Sequence, residues 1–156
     1  MNDTLKIEVQ GGALVLLPAF LPAPAPDLRK VLRWAGEAGG DAAGKLLEWC
    51  SIRKDAFREK VRMYDEQQKK TLELFFAASK QRDEERRMLK ETKDKKSQEA
   101  AVIRQNIKDR TNRMQSLRDT RSDELYMMHR YERELKAIDR NKELIEKWEK
   151  QRQLRS

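Results

Sequence analysis

After Gly44 the chain contains neither glycine nor proline; all six glycines and all four prolines fall within the first 44 residues. From Lys45 to Ser156 nothing supplies a strong helix breaker. Such a run is either a long helix or disordered chain. Charged residues make up 40% of the 156 residues, hydrophobic ones 38% and aromatics 6%. That supply cannot fill a core of ordinary thickness, but it suffices for the narrow apolar stripe of a long helix or coiled coil.

Periodicity favours the helix. From Ala100 a seven-residue frame puts Ala100, Ile107, Met114, Arg121, Met128, Leu135 and Lys142 at a, and Ile103, Arg110, Leu117, Glu124, Tyr131, Ile138 and Ile145 at d. This is a coiled-coil stripe with polar interruptions. Upstream, Phe57, Val61, Tyr64, Gln68, Leu72 and Phe75 also share one face, in a period nearer an eleven-residue repeat. Glu66–Lys70, Asp83–Arg87, Asp109–Arg113, Glu132–Lys136, Glu143–Lys147 and Glu146–Lys150 each set an acid four residues before a base. Such pairs add only about 0.2–0.5 kcal/mol each, but their shared orientation supports helix.

Between the two stripes, Ser79 to Glu99 holds two large apolar residues, Met88 and Leu89, and residues 92–97 hold none. A turn within residues 93–98, near Lys95, folds 45–156 into an antiparallel helical hairpin. It sets Phe75 near Met114, Leu72 near Leu117, Tyr64 near Tyr126 and Ile52 near Ile138, and returns Trp148 towards Leu46 and Trp49. The alternative is one straight helix roughly 170 Å long, which needs a partner along its whole seam. The lack of glycine and proline at the turn argues for that alternative.

The first 44 residues read as a small head. Leu5–Val9 alternates apolar and polar, Gln10-Gly11-Gly12 supplies turn residues, and Ala13–Leu17 is a second apolar run, the pattern of a β-hairpin. Residues 1–26 are this hairpin and a proline-rich connector. Residues 27–44 are a short helix capped by Asp27, followed by a glycine-rich link in which Asp41 can cap the next helix. The expected class is therefore mainly α: a long, coiled-coil-like antiparallel helical hairpin with a head containing a β-hairpin and a short helix.

No constellation of catalytic groups emerges. Gly39 to Lys45 has the glycine and lysine spacing of a phosphate-binding loop, but Leu46 stands where a magnesium-holding Ser or Thr belongs, and a helix precedes it. His129, the single histidine, falls beside the seam with no assignable partner. Cys50 is the only cysteine, so neither a zinc cluster nor a disulfide framework is available. A reducing, cytoplasmic setting fits it. The apolar stretch Ala13–Ala25 is broken by prolines and too short to span a bilayer. A leader peptide is disfavoured, because Asp3 and Glu8 accompany Lys6 before it. The expectation is a protein with no catalytic, cofactor or metal site.

Binding remains. The seam residues Phe57, Val61, Tyr64, Leu72, Phe75, Ile107, Met114, Leu117, Met128, Tyr131, Leu135, Ile138 and Ile145 are the candidates for a protein partner or for self-association into a homo-oligomer. The formal charge is +8, and residues 93–156 carry 18 basic against 12 acidic side chains. Lys93, Lys95, Lys96, Arg104, Lys108 and Arg113 are candidates for contacting an anion. The run from Arg104 to Arg121 spreads around its helix instead of lining one side, and mixed charge of this kind is usually a solvated face. Three function classes follow: a non-enzymatic helical adaptor or structural protein; a basic DNA- or RNA-associated accessory protein of plasmid or phage type; and a stalk-like part of a secretion or motor assembly. For the last, residues 45–156 resemble in outline (basic, two-helix, of similar length) the stalk proteins of type III secretion ATPases, which implies a partner in a motor complex.

Overall fold

The computed structural model describes residues 4–8, 14–18 and 42–155. Two helices dominate: α1, Ala42–Glu91, and α2, Gln98–Arg155. Two strands, β1 (Thr4–Glu8) and β2 (Leu14–Pro18), pair antiparallel with Thr4 opposite Pro18 and Glu8 opposite Leu14. The proline-rich connector, the short helix from Asp27 and most of the glycine-rich link lie outside the described residues. No described helix is long and apolar enough to cross a membrane.

The helices divide into two units. One combines residues 1–61 with 129–156; the other is residues 62–128. The second is a helical hairpin, and its turn needs no glycine or proline because side chains satisfy the free helix ends. Thr92 Oγ1 donates to Met88 O at 2.8 Å, and Lys95 Nζ donates to the carbonyls of Leu89 and Lys90. These are the last carbonyls of α1, where a cation also meets the negative end of the helix dipole. Asp94 Oδ1 accepts from Lys96 N, and Asp94 O accepts from Ser97 Oγ. Ser97 then caps α2, its Oγ accepting from Ala100 N at 3.1 Å, the N-cap arrangement serine favours. Four polar residues thus do the work expected of glycine.

Within this hairpin, Arg121 Nε meets Gln68 Oε1 at 3.0 Å, Thr71 Oγ1 meets Glu124 Oε1 at 2.6 Å, and Asn106 Nδ2 meets Glu85 Oε1 at 3.4 Å. The pairing is antiparallel. Its apolar core is thin: Ala78, Ala100, Ile103 and Met114 are buried, while Leu72, Phe75, Ile107 and Leu117 are half-buried. In the other unit, Lys54 Nζ bridges to Asp139 Oδ1 at 3.0 Å, and the Phe57 and Tyr131 rings lie 5.5 Å apart. Its core is richer, with Leu46, Trp49, Cys50, Phe57, Ile138 and Ile145 buried.

Two expectations need correction. Lys142, expected at an a position, is exposed, and Asn141 is buried in its place. Ile138 and Ile145 keep their expected buried positions, so the exchange is confined to the turn between them. Tyr126, expected to meet Tyr64, is 63% exposed, because it projects from the outer side of α2.

The hairpin core gives a direct comparison between two methionines. Met114 is buried in the seam, whereas Met88 is exposed near the turn. Met114→Ala should cost about 2–5 kcal/mol in urea unfolding followed by circular dichroism, in the range for buried methionine truncations; Met88→Ala should stay within about 0.5 kcal/mol of the parent.

Candidate functional site

Among the expected partner-binding residues, Phe57 meets Tyr131 and Phe75 meets Arg118 across the two helices. Phe57, Met114, Ile138 and Ile145 are buried; Val61, Tyr64, Leu72, Phe75, Ile107, Leu117, Met128, Tyr131 and Leu135 are half-buried. Much of their apolar surface is used within the chain, since each fully buried side chain of this size contributes about 1.5–3 kcal/mol to folding. The surface left exposed is therefore the flanks of the helices.

The seam carries polar layers that the apolar pattern did not reveal. In the first, Lys69 and Gln68 both hydrogen-bond Asp65, holding its carboxyl below the usual carboxylate range. Gln68 in turn accepts from Arg121. Arg121, one of the polar interruptions of the expected stripe, reaches Asp65 through this amide. Thr71 and Glu124 form the next contact. In the second layer Asn106 meets Glu85, and Arg82 Nε, Glu85 Oε2 and Arg110 Nε are buried without a hydrogen-bond partner in the protein. Each such group costs roughly 1–3 kcal/mol of desolvation.

A third polar position lies in the other unit. Asn141 is fully buried, and neither its Oδ1 nor its Nδ2 has a partner. Arg53 is also fully buried, 4.6 Å from the Trp49 ring centroid. Burial pulls its guanidinium below the usual arginine range, with Cys50 and Glu134 acting the other way. Burial also pushes the Cys50 thiol up to about 11, which makes it a packing group and not a nucleophile.

The expected anion-binding residues separate. Lys95 is committed to the α1 terminus. Lys93 and Lys96 are exposed at the turn, and Arg104, Lys108 and Arg113 are exposed along α2. His129 is exposed, its Nδ1 3.3 Å from Glu132 Oε2. Of the loop-like segment, residues 42–46 are helical and Leu46 is fully buried. Among the described residues no group of His, Cys, Asp and Glu is placed to hold a metal ion. No family model, curated protein or solved structure matches the chain.

Asn141 gives the site its most direct test. Its amide is desolvated without compensation, a state usually retained for register and not for stability. Asn141→Leu should raise the unfolding free energy by about 1–3 kcal/mol, read as a higher midpoint in thermal or urea denaturation.

Proposed function

We propose that this protein is a non-enzymatic helical adaptor or structural protein that works through protein–protein contacts of its long helices, self-association among them. The observation that carries this reading is apolar surface left on the outside of the hairpin. Phe76 is 60% exposed and Leu74 49%, with Tyr126, Met88 and Val102 also outside the seam. These side chains stand on both flanks, so apolar surface is open to a neighbour on either side. The thin seam points the same way, because a second pair of helices would bury what one hairpin leaves half-covered. The mixed charges on the flanks set which partner is accepted.

Light scattering on the intact chain tests this. The mass should exceed the 18.5 kDa of one chain and rise with concentration. Leu74→Ser combined with Phe76→Ser should return it towards one chain. A single-chain mass at every concentration contradicts self-association.

A further inference from the structure

The cross-helix contacts of the 62–128 hairpin sort its charges by side. At about 100° per residue, each helix presents a seam and two flanks. Gln68–Arg121 and Phe75–Arg118 lie towards one flank; Glu85–Asn106 and Thr71–Glu124 lie towards the other. Carrying this register along both helices puts Arg86 and Lys90 of α1 on the Phe75 flank, with Arg82 at its inner edge. The same flank of α2 carries Ala101, Arg104, Lys108, Thr111, Gln115 and Arg118, with one acid, Asp119, at its far end, where it accepts from Gln115 Nε2. Its one acid on α1 between Ser79 and Lys90 is Asp83, whose Oδ1 is 3.4 Å from Arg82 Nη2. Glu84, Glu91, Glu99 and Asp109 go to the opposite flank with Met88 and Val102. One hollow there is lined by Met88, Glu91, Glu99 and Ile103, among others. Arg113 goes with the acids. Along α2 alone the arginines and lysines look scattered; across the pair they form a basic side and an acidic, partly apolar side.

The geometry points to the basic flank as a phosphate-binding face for the backbone of a nucleic-acid duplex. Arg86, Lys90, Arg104 and Lys108 are exposed, and no carboxylate among the described residues pairs with them. They stand in two rows, each stepping by four residues, or about 6 Å, and the rows are separated by a helix spacing of about 8–10 Å. Such regular spacing suits a polymer of evenly placed charges better than the irregular acids of a protein. Ser79 adds a neutral hydroxyl, a donor type that phosphate oxygens also accept from. The outer part of the flank between Ser79 and Lys90 and between Ala101 and Gln115 has no aromatic residue. Phe76, beside Ser79 and Asp83 at one end, is a single ring and not the row of aromatics on which the successive bases of a single strand stack, so binding is to backbone and independent of sequence.

Fluorescence anisotropy of a labelled DNA duplex, titrated with the full chain, tests this. Four phosphate contacts predict a loss of affinity of roughly a hundredfold between about 50 and 200 mM salt. Arg104→Gln with Lys108→Gln should weaken binding at least about tenfold and flatten the salt slope by about 2. Lys70→Gln with Arg113→Gln removes the same charge from the opposite flank and should change affinity by less than about twofold, since long-range attraction alone is lost. Circular dichroism should show both doubles as helical as the parent. The proposal is overturned by no binding at low salt, by equal losses in the two doubles, by a single strand binding more tightly than the duplex, or by poly-glutamate competing as well as DNA at equal charge.

Discussion

Everything described in this protein depends on one narrow seam. A helix satisfies its own backbone hydrogen bonds, so what it needs from a neighbour is cover for its apolar stripe. In residues 62–128 that stripe is one or two side chains wide, and the chain covers it by turning back at residues 92–97. The same demand is met in the other unit, where Phe57 faces Tyr131 and Lys54 faces Asp139. The two units differ in what fills the contact. Trp49, Leu46, Ile138 and Ile145 make one core largely apolar, whereas Gln68, Thr71, Arg82 and Glu85 make the other largely polar.

Polar layers weaken a seam but limit its registers. A one-heptad slip in an apolar stripe exchanges one hydrocarbon contact for another at small cost. A slip past Gln68–Arg121 or Glu85–Asn106 strands buried donors and acceptors, each worth roughly 1–3 kcal/mol. Buried polar groups are best attested in this role of fixing register. Here the register matters beyond stability, because it decides which flank each exposed charge joins. The seam therefore sets both the fold of the hairpin and the chemistry of its two sides.

Much of the helical hairpin was legible in the sequence, for physical reasons. The absence of glycine and proline after Gly44 and the spacing from Phe57 to Phe75 and from Ala100 to Ile145 reflect helix geometry directly. The gap in apolar residues at 92–97 marks where no seam is needed. How the chain turns there was not legible, since Thr92, Asp94, Lys95 and Ser97 act through local hydrogen bonds that no periodicity records. Nor were Thr71 and Asn141: a polar residue is buried by what packs over it, and apolar counting passes it by. The split of Arg104 and Lys108 from Arg113 needs the second helix, for on α2 alone no direction is privileged. The helical pairs also rearranged, with Arg62–Glu66 and Asp65–Lys69 forming ion pairs, as expected of exposed charges whose alternatives differ by tenths of a kcal/mol.

A helical hairpin built this way has few fixed parts: a seam to hold the helices, polar layers to fix their register, and flanks of contrasting character. All of it rests on the chain folding back on itself within residues 62–128. Electron–electron distance spectroscopy tests that directly, with spin labels at Lys70→Cys and Asp123→Cys in a Cys50→Ser chain diluted with unlabelled protein. Lys70 and Asp123 are both exposed and stand at neighbouring levels of the hairpin. The antiparallel register predicts a label separation below about 30 Å, two helix diameters with their side chains. A separation near 80 Å, the length of an unbroken helix between those positions at about 1.5 Å per residue, would contradict it.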